Sequence, residues 1–175
     1  GSIGYTALGG ILIPLGDRAR ARELLETAID IGPTYDGYNN LATLEFYEGR
    51  YAEAASLYEL ALELDDRDYR VWNNYAEALA QSDADSHRAR DAYERAAELA
   101  EDYLAEHPEN AAALIDLTSF HIHLGNEGEA RRVLDLVLAI EIDDPSSMAA
   151  VADVFERLGN RRSALEWIEK ALLAG

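Results

Sequence analysis

Apolar side chains recur along the chain at steps of three and four residues, and the runs they form are broken at near-regular intervals by glycine or by short acidic stretches. Such a step is the period of one face of an α-helix, so each run predicts an amphipathic helix. The frame repeats. Five residues after Gly16, Gly49, Gly125 and Gly159 stand Ala21, Ala54, Ala130 and Ala164, and twelve residues after each stands a slim side chain, Ala28, Ala61, Val137 or Ala171. Seven residues before the glycines come Gly9, Ala42, Thr118 and Ala152. Each of these follows an apolar anchor (Leu8, Leu41, Leu117, Val151), with Tyr5, Tyr38, Leu114 or Met148 three residues further back. A fifth copy lacks the glycine but keeps the frame as Trp72, Tyr75, Ala76, Ala89, Tyr93 and Ala96. Each copy reads as two helices joined by a short turn, with small residues where helices cross and bulky ones filling the layer beside the crossing. Hairpins of this kind cannot bury their faces alone and must stack on one another.

The turns carry their own chemistry. A glycine there supplies the positive φ that ends a helix, Asn126 with Glu129 has the pattern of a capping box, and Asp144-Pro145 opens a helix with proline in its first turn. Gly16 to Gly49 is 33 residues and Gly125 to Gly159 is 34, but Ala54 to Ala89 is 35 and Ala89 to Ala130 is 41. The third copy is therefore the odd one. Its turn, Ser82-Asp83-Ala84-Asp85-Ser86, is one residue longer, and its second helix is expected to continue to His107 before Pro108. The excess amounts to about two helical turns and predicts a helix that protrudes, as a tolerated insertion or as a partner contact. The expected organisation is one domain over 1-175 with units at 2-34, 35-68, 69-110, 111-144 and 145-175.

The stretch Tyr38-Asn39-Asn40-Leu41-Ala42, followed by Gly49-Arg50-Tyr51, Ala54 and Ala61-Leu62-Glu63-Leu64, resembles the tetratricopeptide repeat family. Units of that family carry a bulky residue, Leu, a small residue, a turn glycine and two alanines. The resemblance covers essentially the whole chain and implies an all-α fold, a right-handed α-solenoid of stacked antiparallel helix hairpins. It also implies that the first helices of successive units line a concave groove for a peptide or protein segment. Residues four apart share the exposed stripe of those helices. In the second unit the stripe holds Asn39, Asn40, Thr43, Phe46 and Tyr47; in the third Arg70, Asn73, Asn74, Glu77 and Gln81; in the fourth Asp116, Ser119 and His123. The repeated Asn-Asn pair stands out, because an amide donates and accepts at once and so suits a peptide backbone leaving water. The competing reading is a local bond to the helix's own backbone. Relatives that bind chaperone tails clamp a terminal carboxylate with lysines and arginines. The central stripe here offers Arg70, and the sole lysine is Lys170, so that clamp is not expected.

Charge narrows the partner. Lys+Arg 15 against Asp+Glu 34 gives a net charge of −19, which repels nucleic acid and anionic membranes and leaves open a basic partner, whose capture it would speed. Residues 36–144 carry 26 of the acids and 8 arginines, yet the first helices of the central units hold few of them. Most of the acid is expected outward on second helices and turns, as a solvated surface. The ends differ. The last helix (Leu165, Trp167, Ile168, Leu172, Leu173) and the first (Ile3, Leu8, Ile11, Leu12, Ile13, with Pro14 near its end) are strongly apolar in near-neutral units. Uncapped ends of an array cost solubility. Either neighbouring repeats are missing or the ends pair with another copy, and Gly1-Ser2, which resembles a cloning remnant, favours trimming.

Catalysis is not expected. His121 and His123 point to different helix faces, no histidine pair has the i, i+4 spacing of a helical metal site, and no phosphate cradle or nucleophile motif occurs. Asp65-Asp66 and Asp143-Asp144 read as caps. With no cysteine, thiolate metal sites are excluded, and neither cofactor nor metal is expected. No apolar run approaches the roughly 20 residues of a spanning helix, and the expected setting is the cytoplasm.

Overall fold

The computed structural model describes residues 1–82 and 86–175, so most of the expected turn Ser82-Asp83-Ala84-Asp85-Ser86 lies outside the described residues. Among the described residues the fold is all-α: α1 (Ser2–Leu12), α2 (Arg18–Ile31), α3 (Tyr35–Tyr47), α4 (Tyr51–Leu64), α5 (Tyr69–Gln81), α6 (Ser86–Glu106), α7 (Ala111–His123), α8 (Glu127–Leu138), α9 (Pro145–Arg157) and α10 (Arg161–Ala174). Two compact units can be distinguished, Gly1–Arg95 and Ala96–Gly175. Within each compact unit the helices pair as hairpins that stack in the manner of an α-solenoid.

In the first unit each of α1 to α4 packs on the helix that follows it, and α3 also touches α1 and α5. The small residues of the repeating frame make this possible. Ala21, Ala42, Ala54, Ala61 and Ala76 are completely buried, while Leu25, Leu44 and Tyr58 fill the layers beside them. Gly9 shows how tight the crossing is: a Cβ there would lie 2.7 Å from Leu25 Cγ. Ile13, Ala21, Leu25, Leu41 and Leu44 form a continuous core cluster, with Leu12, Ile29 and Leu57 against it.

Turn chemistry sets the hairpins. Gly16, Gly49, Gly125 and Gly159 have φ of 82°, 76°, 75° and 76°. At each, the amide of the next residue reaches back to a helical carbonyl, as Arg50 N to Glu45 O at 2.9 Å, so the helix end is satisfied without a side chain. Asp144 caps α9 by accepting from Ser147 N at 2.7 Å, with Pro145 in the first turn. Two expected caps are not formed. Asn126 holds the cap position of α8 without a side-chain bond, and Glu129 is drawn away by Arg132 Nε at 2.7 Å. At the start of α5 the cap is Asp68, which accepts from Arg70 N at 3.0 Å. Asp65 instead closes on Arg67 through that residue's backbone amide and both guanidinium contacts. The Arg67 side chain holds the Asp65 carboxyl down at about 2.

In the second unit α7 packs on α8 and α9, and α9 on α10, around Leu114, Phe120, Val133, Val137, Val151 and Val154. Helix α6 has 21 residues. Its last turns bury Ala100 and Leu104, and Tyr103 stacks on His107 at 4.3 Å. Asn110, the cap of α7, donates to the Tyr103 hydroxyl. The extra length thus supports the start of the next hairpin. At the two chain ends the apolar faces are exposed. On α1, Ile3, Leu8 and Ile11 face solvent; on α10, Leu165, Ile168, Leu172 and Leu173 do so, with Ala164 buried. Helix α1 ends at Leu12, so Pro14 lies in the turn after it rather than within the helix.

Candidate functional site

The stripe residues of α3 and α5 line two neighbouring hollows in the first unit. One, of about 130 Å³, is bounded by Thr43, Phe46, Tyr47, Tyr58, Asn74 and Glu77. The other, of about 480 Å³, is bounded by Asn40, Thr43 and Tyr47 together with Gly10, Ile13, Pro14, Gly16 and Arg18. Thr43 and Tyr47 belong to both, so the hollows adjoin along α3. The Asn-Asn pairs split. Asn40 and Asn74 line hollows, whereas Asn39 and Asn73 line neither, because consecutive helical residues stand about 100° apart.

Asn40 also has a packing role. A side chain at Gly10 would meet Asn40 Nδ2 at 2.8 Å, so its amide lies against the backbone of α1. Asn39 turns inward. Its backbone carbonyl accepts from Thr43 Oγ1 at 2.9 Å, while its Oδ1 is buried without a hydrogen-bond partner. With the Thr43 proton committed to that carbonyl, the Tyr58 hydroxyl donates to Thr43 Oγ1 at 3.0 Å. Burial pushes the Tyr58 phenol up to about 12. Tyr58 therefore forms an uncharged floor beneath Asn74 and Glu77. On α3, Phe46 meets Tyr51 edge-on at 5.2 Å, and Tyr47 is exposed, so one ring is locked while its neighbour is open to a ligand.

Arg70 is engaged locally. Its Nε and Nη2 donate to Asp68 at 3.0 and 2.9 Å, which leaves it poorly suited to clamp a carboxylate. Gln81, at the end of α5, is exposed and lines neither hollow. Behind the stripe lies a network that periodicity did not reveal. Glu45 is buried and accepts from Arg22 of α2 and Arg50 of the α3–α4 turn. The same two arginines bind Glu48. Burial would raise the Glu45 carboxyl, but the paired guanidinium groups outweigh it and hold it below the usual carboxylate range. This network ties α2, α3 and the turn together and presents α3 at a set angle.

In the second unit Asp116, Ser119 and His123 lie on α7. Asp116 and Ser119 are half-buried, His121 is buried, and His123 is exposed, in keeping with two histidines on different faces. Arg157 Nη1 donates to His123 Nε2 at 2.7 Å. Partial burial and then the Arg157 charge hold the His123 imidazole below its ordinary 6.5. We expect its NMR titration to fall below that value and to move up in Arg157→Gln; an unchanged midpoint in the variant would dissociate the two groups. Among the described residues no group of three His, Asp or Glu side chains could hold a metal ion, and no helix is long and apolar enough to cross a membrane.

Family models of tetratricopeptide repeats match residues 6–68 and 39–86 and residues 87–154. No curated protein matches the chain in sequence. Among solved structures, a thermophilic tetratricopeptide repeat protein of Thermus thermophilus is 23% identical, with a TM-score of 0.74 over 100% of this chain and 92% of that one. PilF of Pseudomonas aeruginosa is 22% identical with a TM-score of 0.67 over 99% and 76%. YrrB, a tetratricopeptide repeat protein described as having an unusual peptide-binding site, is 15% identical with a TM-score of 0.60 over 99% and 86%. At these identities the likeness is one of fold.

Proposed function

Because the chain belongs to the tetratricopeptide repeat family, a fold of protein–protein interaction scaffolds, we propose that it holds a peptide or protein segment along the stripe of its first helices, without chemistry of its own. The five hairpin units at 2-34, 35-68, 69-110, 111-144 and 145-175 and a cytoplasmic setting belong to this reading. The observation that carries it is the pair of adjoining hollows in which Asn40, Thr43, Tyr47, Asn74 and Glu77 come together. Amide, hydroxyl and exposed aromatic groups held by packed helices can satisfy a peptide backbone and cover an apolar side chain, with little receptor entropy lost on binding. Asp116, Ser119 and His123 of α7 are candidate contacts of the second unit. The peptide-binding site attributed to YrrB is a property of that protein, and it makes a peptide the first ligand class to test. The chain's net charge of −19 favours a basic segment.

The test is a peptide selected on the immobilised protein from a random display library, then titrated calorimetrically. Asn40→Ala with Asn74→Ala is expected to weaken binding by about tenfold, the worth of two lost hydrogen bonds. Unchanged affinity in a folded double variant would reject the stripe.

A second reading is favoured by the exposed apolar faces of α1 and α10: self-association through the end helices, leaving the stripe idle. Sedimentation over a range of concentrations separates the two, since a monomer throughout argues against assembly.

A further inference from the structure

The first unit contains a larger cavity on the other face of α5, about 750 Å³ in volume. It involves neither Asn74 nor Glu77 and is lined instead by Trp72 and Tyr75. These precede Asn74 and Glu77 by two residues each, which places them about 200° away around the helix. Leu62 of α4 and Ala92 of α6, both buried, provide an apolar floor. The Trp72 indole N–H donates to the Asp66 carbonyl at 2.7 Å, which fixes the ring along the cavity. Four carboxylates surround this aromatic wall (Glu59, Glu63, Asp66 and Asp91) against the two arginines Arg88 and Arg95.

The chain itself displays what this arrangement accepts. The Arg88 guanidinium sits 5.8 Å from the centre of the Tyr75 ring and donates to Glu59 at 2.8 Å and to the Tyr75 hydroxyl. An aromatic face beside a carboxylate is the environment a cation prefers. Trp72 adds a second aromatic face to the same acidic cavity, which Arg95 also lines. Among the described residues Glu63 makes no ion pair, and Asp91 reaches the exposed His87 at 3.6 Å.

We propose that this cavity is a second binding site, which takes lysine or arginine side chains of a basic protein segment, their stems on Leu62 and Ala92 and their cations between Trp72 and the acidic rim. Second helices, which the sequence marks as a solvated acidic surface, thereby acquire a docking role independent of the first-helix stripe. Electrostatic attraction from the chain as a whole brings the segment in, and the aromatic wall holds it.

The experiment uses a short oligoarginine peptide as the probe, with an oligoglutamate peptide as the control. In a Trp167→Phe background Trp72 is the remaining tryptophan, so its emission reports on the cavity. A saturable change with oligoarginine alone is expected. Its affinity should fall roughly tenfold or more in Glu63→Gln with Asp91→Asn, through loss of charge-assisted bonds. Asp30→Asn with Glu53→Gln removes the same charge outside the cavity and should leave binding nearly unaltered. So should Asn40→Ala with Asn74→Ala. No saturable response at low salt overturns the proposal. Equal losses in the two charge-neutralised pairs reduce the effect to overall attraction and overturn it too, as does loss of oligoarginine binding in the asparagine pair. Binding of the selected peptide to the stripe is measured separately, so either site can fail while the other stands.

Discussion

Replacing Tyr58 by alanine is expected to lower the stability of the fold by about 3–4 kcal/mol, the cost of deleting a buried aromatic side chain and leaving a cavity. Tyr58 is 1% exposed and lies directly under the smaller hollow of the stripe, which limits collapse of the surrounding helices into the space. Urea unfolding measures the effect, and a loss below about 1 kcal/mol would show that the ring is not a packing element. Tyr58→Phe separates the ring from its hydroxyl and should cost only about 1 kcal/mol, because Thr43 keeps its bond to the Asn39 carbonyl. The phenol also contributes a pH dependence. Its folded value is raised to about 12 from an ordinary 10.0, so its contribution is complete below the unfolded value and is lost as pH rises from 10 towards 12. Tyr58→Phe should remove this part of the alkaline loss of stability.

The second large effect is expected at Glu45. Glu45→Ala leaves Arg22 and Arg50 without their buried partner, and a loss of about 2 kcal/mol is expected. This is below the range for a fully buried pair, because both arginines reach solvent and Glu48 still holds them. The pH dependence has the opposite sign to that of Tyr58. The folded carboxyl lies below its ordinary 4.5, so the network's contribution is present above that value and is lost as pH falls through the lower folded value. Chemical unfolding at neutral pH and in the acid range checks both points. The variant should be less stable at neutral pH and lose less on acidification; an acid limb identical to that of the parent would remove Glu45 from the titration.

Both residues show how sequence frame and side-chain role part company. Tyr58 stands four residues after Ala54, as Leu25 follows Ala21 and Leu134 follows Ala130. Its place as a core residue was legible from that frame. Its hydroxyl was the signal that could have tied it to the stripe, since a tyrosine at a core position must find a partner for its polar end. Glu45 gave the opposite signal. It reads as one more acid on an acidic chain, and its burial depends on Arg22, 23 residues earlier. The aromatic cavity on α5 was likewise illegible, because its walls come from three helices and no short pattern spans them.

Periodicity, the turn glycines and the small residues at the crossings establish the helical hairpins and their stacking, because those features act within one hairpin or between immediate neighbours. The split of each Asn-Asn pair, the cap passing to Asp68, the burial of Glu45 and the meeting of Trp72 with distant carboxylates were settled only when the helices packed. Each depends on which side chains from separate elements arrive at the same point and compete there for the same hydrogen bonds and the same space.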